Sequence, residues 1–101
     1  MDFTQEKASD GVAITMRGAF TFKDHHSFRE LLDTIKASAG RHHVLDLSRL
    51  DFMDSAALGM LLIADDESKS GGWTLTLRHP PSRIARLIEL AAMDEIFKIE
   101  P

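Results

Sequence analysis

Hydrophobic and polar positions alternate along residues 12–17, with Val12, Ile14 and Met16 on one side and Ala13, Thr15 and Arg17 on the other. That period of two predicts a half-buried strand, punctuated by Gly11 and Gly18. The segment before it, about residues 2–8, is a weaker strand candidate that pairs with it across Ser9-Asp10-Gly11. The period then changes. Phe28, Leu31, Leu32 and Ile35 recur at i, i+3, i+4 and i+7, which predicts an amphipathic helix of about four turns, stopped near Gly40. Thr21, three residues before Asp24, marks its start, and Asp24 is itself a second candidate cap. Residues 43–47 are a short apolar run suited to a buried central strand. Ala56 to about Lys69 reads as a second helix, ended by Ser70-Gly71-Gly72. Trp73, Leu75 and Leu77 alternate with Thr74 and Thr76 as a further strand. Pro80-Pro81 leads into a third helix whose buried stripe is Ile84, Leu87, Ile88 and Ala91, and Ile96-Phe97-Lys98-Ile99 predicts a last, short edge strand.

The order β-β-α-β-α-β-α-β places the chain in the α/β class: a mixed sheet with mainly parallel inner strands and helices packed against it. Right-handed crossovers put the two longest helices on one face if the connections run in one direction across the sheet. Residues 1–101 are expected to form a single domain, with no room for a catalytic cleft between two domains. The absence of cysteine excludes a disulfide framework. The longest nearly apolar run, Ala56 to Ala64, is under half of the roughly 20 residues a membrane span needs, and the N-terminal segment lacks the features of a signal peptide. The expectation is a cytoplasmic protein without membrane insertion.

Charge narrows the picture further. Twelve Lys and Arg stand against 16 Asp and Glu, a net −4, and the bases are scattered, the tightest group being Arg78, Arg83 and Arg86. From Asp51 to Glu67 there are acids and no base at all. Phosphate backbones are held by concentrated positive surface, so nucleic-acid binding is not expected.

Asp54-Ser55 stands just after the buried strand and just before the second helix. Either side chain suits a helix N-cap. On a helical wheel Ser55, Gly59, Leu62 and Asp66 share one stripe, and Ala57, Met60, Leu61 and Ala64 lie opposite as a uniformly apolar core face. The first stripe therefore points outward, carrying an exposed Leu62 and a helix-interior glycine. Glycine there costs about 1 kcal/mol relative to alanine. Gly59 either leaves room for an approaching partner backbone or packs against a neighbouring helix.

Leu50-Asp-Phe-Met-Asp54-Ser55-Ala-Ala-Leu58-Gly59 resembles the signature of the STAS domain of bacterial anti-sigma factor antagonists, Asp-Ser-(Ser/Thr)-Gly-Leu-Gly after an apolar-Asp approach. Gly18 to His26 stands where that family has a turn into its first helix, and the Gly-Gly before Trp73 and the late Phe97-Lys98-Ile99 fit as well. The resemblance implies that Ser55 is reversibly phosphorylated, with Asp54 and Asp24 matching acids beside that site, and together with the outward stripe of the wheel it gives an expected partner-binding surface of Asp24, Asp54, Ser55, Gly59, Leu62 and Asp66. It implies a serine kinase with a histidine-kinase-like ATP-binding fold, often itself the anti-sigma factor, and a metal-dependent serine phosphatase that reverses the reaction. The chain would be a substrate and binding module, without catalytic residues or cofactor of its own. Two departures stand out. Ala56 replaces the family's second hydroxyl residue, leaving one acceptor, and Ala57 replaces its first glycine, which adds a methyl expected near the docking surface. An alternative within the same fold is a cytoplasmic STAS subunit of a transporter such as a phospholipid-transport ATPase.

Other chemistry is weaker. Met53 to Ala57 is not a nucleophile elbow, and although His25, His26 or His79 could approach Ser55 in space, no spacing demands it. Neighbouring side chains diverge on a helix and face opposite sides on a strand, so His25-His26 and His42-His43 are expected to be surface or capping residues and not metal ligands.

Overall fold

The computed structural model describes residues 1–101, and the alternating segment around Ile14 lies within the second of five strands. In chain order the elements are β1 (Asp2–Ala8), β2 (Gly11–Phe20), α1 (His25–Ala37), β3 (His42–Met53), α2 (Ser55–Gly71), β4 (Thr74–Arg78), α3 (Ser82–Leu90) and β5 (Lys98–Glu100), with short 3-10 turns at Phe22–Asp24 and Met93–Glu95. The sheet order is β1-β2-β3-β4-β5. β1 runs antiparallel to β2, and every other neighbouring pair is parallel. This is the mixed sheet that the element order predicts.

The crossovers all step the same way across the sheet, so the helices cover one face. Val12, Ile14 and Met16 of β2, Leu45 and Leu47 of β3, and Leu75 and Leu77 of β4 meet Phe28, Leu31, Leu32 and Ile35 of α1, Met60 and Leu61 of α2, and Ile84 and Ile88 of α3 in one continuous core. The alternate residues, among them Thr15, Asp46, Thr76 and Arg78, are only half-buried on the other face. Arg29 of α1 forks onto Glu67 of α2 with contacts of 2.7 and 2.6 Å, and Lys36 reaches the same carboxylate. These bonds tie the two long helices together. The Arg29 hydrogen bonds, aided by Lys36, outweigh burial and hold the Glu67 carboxyl down at about 2.

Two elements differ from their sequence patterns. β3 continues to Met53, well past the apolar run 43–47. Its burial alternates only as far as Leu47, because the register with β2 shifts between Thr15 and Arg17 and again between Gly18 and Ala19. Each shift moves which side chain faces inward, so the period of two disappears from the sequence while the hydrogen bonding persists. His43 is the second difference. His42 is exposed, but His43 is buried in the core face of β3, where its Nδ1 accepts the Val12 N–H at 3.1 Å. Burial pushes its pKa down and favours the neutral ring that this acceptor role requires.

Candidate partner-docking site

β3 ends at Met53 and α2 begins at Ser55, so Asp54 occupies the N-cap. Its two carboxylate oxygens are both used. Oδ1 accepts the Ala57 N–H at 2.9 Å, and Oδ2 accepts the Phe22 N–H at 3.1 Å, linking the turn after β2 to the start of α2. The Asp54 N–H itself donates to the Phe20 carbonyl at 3.3 Å. Capping is therefore the work of Asp54. Ser55 takes no part in it and stands exposed in the first turn. The site lies at the carboxyl ends of the parallel strands, where open α/β sheets place their functional groups.

The wheel divides α2 as its residue pattern predicts. Ala57, Met60, Leu61 and Ala64 are buried, and Ser55, Gly59, Leu62 and Asp66 are exposed. A Cβ built on Gly59 would find no neighbouring heavy atom within 4 Å. The glycine is thus not packed against another helix, and the space above it is open. Ala57 overturns one expectation. It is fully buried, so the methyl that distinguishes it from the family's glycine sits under the helix in the core, away from the exposed stripe.

Asp24 is placed differently from the stripe. It is buried, with Oδ1 against the Met1 ammonium at 2.9 Å and Oδ2 accepting the Thr21 N–H at 2.8 Å. Thr21 is the cap of the Phe22–Asp24 turn and Asp24 the reciprocating carboxylate, a capping box, and Asp24 makes no side-chain cap to α1. Burial alone would raise its carboxyl, but the Thr21 N–H and the Met1 ammonium bring it below its usual value. Asp24 thus orders the turn that carries Phe22. The structure brings Asp54, Ser55, Gly59, Leu62 and Asp66 together along one helix, with Asp24 behind the adjoining turn.

Three apolar residues beside this stripe went unremarked in the sequence. Phe22 is 60% exposed, Phe52 49% and Ile63 49%, comparable with Leu62 at 46%. Ile63 follows Leu62 and lies four residues after Gly59, so the wheel could have found it. Phe22 and Phe52 fall in a turn and in the irregular end of β3, where no periodicity assigns a side chain to either face.

Comparison with known proteins now has a geometry to fit. A family model described as Mlab, STAS domain, matches residues 3–100. The chain belongs to the STAS family. A STAS-domain containing protein, PA14_20770 of Pseudomonas aeruginosa strain UCBPP-PA14, is 29% identical over 101 residues, spanning 98% of this chain and 99% of the relative. Among solved structures, the anti-sigma factor antagonist SpoIIAA in its unphosphorylated form superposes with a TM-score of 0.74 at 20% identity, covering 99% of this chain and 89% of SpoIIAA. SpoIIAA of Bacillus has also been solved phosphorylated. A sulfate transporter family protein from Wolinella succinogenes superposes with a TM-score of 0.70 at 18% identity, over 82% of this STAS chain and 67% of that one. At these identities the structures establish the shared fold.

Proposed function

We propose that this STAS domain is a docking switch controlled by phosphorylation of Ser55, of the anti-sigma factor antagonist type. The observation that carries the reading is the division of labour at the start of α2. Asp54 supplies the cap, so Ser55 is left without a structural task, exposed beside an unfilled gap at Gly59 and an unpartnered apolar rim of Phe22, Leu62 and Ile63. The unphosphorylated face binds the partner, a serine kinase of histidine-kinase-like ATP-binding fold that doubles as anti-sigma factor, and a metal-dependent phosphatase restores that face.

A phosphate on Ser55 adds roughly −1.5 to −2 charge. In the free domain it sits at a solvated helix N-terminus, where first-turn amides and the helix dipole accommodate an anion. Asp54 and the exposed Asp51 oppose it, so the net effect on folding is small. In the complex the same charge is stripped of water among apolar side chains, and this is the costly location. Phosphorylation thus releases the partner without unfolding the switch. Binding of the purified kinase to wild type, Ser55→Ala and Ser55→Asp tests this: Ser55→Ala is expected to bind like wild type and Ser55→Asp to bind weakly. Equal binding of all three would reduce Ser55 to an ordinary helix start.

A second reading, a STAS subunit resident in a transporter, draws on the likeness to the Wolinella transporter-family protein. It uses the same α2 face as a permanent contact. The two part over phosphate: a permanent subunit carries none at Ser55 under any growth condition, and phosphosite mapping by mass spectrometry decides.

A further inference from the structure

The far end of α2, about 25 Å from Ser55 along its 17 residues, opens onto a second feature. There the C-termini of α1 and α2 border a cleft of about 640 Å³ whose lining includes Lys36, Arg41, His43, Ser70, Gly72 and Trp73. The volume lies within the roughly 300–1,000 Å³ of small-molecule sites.

Register brings its two principal side chains together. β3 and β4 pair in parallel from His42 opposite Thr74, and Arg41 and Trp73 immediately precede those two residues. The Thr74 N–H donates to the Arg41 carbonyl at 2.7 Å and holds that alignment. Trp73 is half-buried and Arg41 exposed, and both line the cleft together with residues of α1 and α2. The Trp73 indole is seated from two directions. The His43 ring meets it edge-on at 5.7 Å between centroids, and a Cβ on Gly71 would come within 2.5 Å of its Nε1, so only bare backbone fits there. The Arg41 guanidinium enters none of the molecule's ion pairs.

The chemistry of the lining selects the ligand. Lys36 and Glu67 of the lining pair with each other, which leaves Arg41 as the one lining cation outside any ion pair, with the Asp10 carboxylate nearby on the Arg41 N–H. A single anionic group is therefore matched. A dianion is not, because the carbonyl ends of α1 and α2 both present negative partial charge here. Arg41 offers a planar fork suited to a carboxylate, and the half-buried indole offers a flat apolar surface.

We propose that this cleft binds a small planar monocarboxylate, its ring against the Trp73 indole and its carboxylate on the Arg41 guanidinium. The site is independent of Ser55. Trp73 is the only tryptophan, so its indole Nε1–H is a single reporter in a nitrogen-15 NMR spectrum. Benzoate is titrated at constant ionic strength against that signal, with acetate, benzyl alcohol and inorganic phosphate as arms lacking the ring, the charge or the single charge. Benzoate is expected to shift the indole signal saturably, and the three other compounds not to saturate over the same range. Arg41→Gln removes the charge-assisted bonds and is expected to weaken benzoate roughly tenfold or more. The bond that sets the register uses the Arg41 backbone, so the remaining spectrum should be retained. Arg41→Lys, which keeps a point charge without the fork, should fall between the two. A benzoate shift that never saturates, equal affinity in Arg41→Gln, or tighter binding of phosphate than of benzoate would each overturn the proposal.

Discussion

Replacing Gly59 by alanine should make the free protein more stable and the complex weaker. The first half follows from the structure. Nothing lies within 4 Å of a Cβ at this position, so the added methyl meets no clash and buries no neighbour. What remains is backbone entropy and helix propensity, which favour alanine over glycine in a helix interior by about 0.5–1 kcal/mol. For a domain of this size that is a rise in Tm of about 2–8 °C, readable by calorimetry or by circular dichroism melting. The second half follows from the proposed docking face: a methyl in the open gap between Ser55 and Leu62 obstructs close approach of a partner. Affinity measured by isothermal titration on the same samples should fall while Tm rises. Opposite signs in the two assays are hard to produce by general damage to the fold. A lower Tm would show that the gap is not empty in solution, and unchanged partner affinity would remove Gly59 from the interface.

Other outcomes follow from the same coordinates. Asp54→Ala removes the acceptor of both the Phe22 and Ala57 N–H groups and should cost about 1–2 kcal/mol in denaturant unfolding, whereas Asp54→Asn, which keeps an acceptor, should cost less. Glu67 has its pKa lowered to about 2 from an ordinary value of 4.5, so its contribution is complete above the ordinary value and is lost as pH falls through about 2. Glu67→Gln should flatten that part of the acid unfolding profile and cost about 0.5–1 kcal/mol at neutral pH, the pair being partly exposed. His43 has a pKa below its ordinary 6.5, so stability should also decline as pH drops below 6.5, a component that His43→Gln should remove from the stability profile. Leu47→Ala, at a fully buried position, should cost about 2–5 kcal/mol by the same measurement.

A residue's place in this fold is legible in the sequence where its surroundings are local. The amphipathic stripes of α1 and α2 were readable because a helix repeats its own geometry: Phe28 to Ile35 and Ala57 to Ala64 are buried where the wheel puts them. The mixed sheet followed from the alternation of strands and helices, whereas the order of its strands is set by which way each crossover steps, which the sequence left open. The late half of β3 was not legible, since two register shifts with β2 erase the alternation. His43 read as one of a pair of surface histidines, because its acceptor role depends on the Val12 N–H, 31 residues away. At the docking face the sequence left Asp54 and Ser55 as rival caps. Only the second bond of Asp54, to Phe22 across 32 residues, explains why the aspartate takes the cap and leaves the serine free. Phe22 and Phe52 were invisible for the same reason, one in a turn and one just past a register shift of β3, where exposure is set by tertiary packing.

In the proposed switch, the Ser55 face of α2 binds a partner when neutral and releases it when charged, with the fold unchanged. It is tested by the affinity of the proposed kinase partner for the purified domain carrying serine or phosphoserine at position 55, with Tm recorded for both forms. Phosphorylation is expected to lower affinity roughly tenfold or more, the equivalent of about 1.4 kcal/mol or more, with nearly equal Tm. Equal affinities, or a loss of affinity that merely tracks a collapse in Tm, would contradict it.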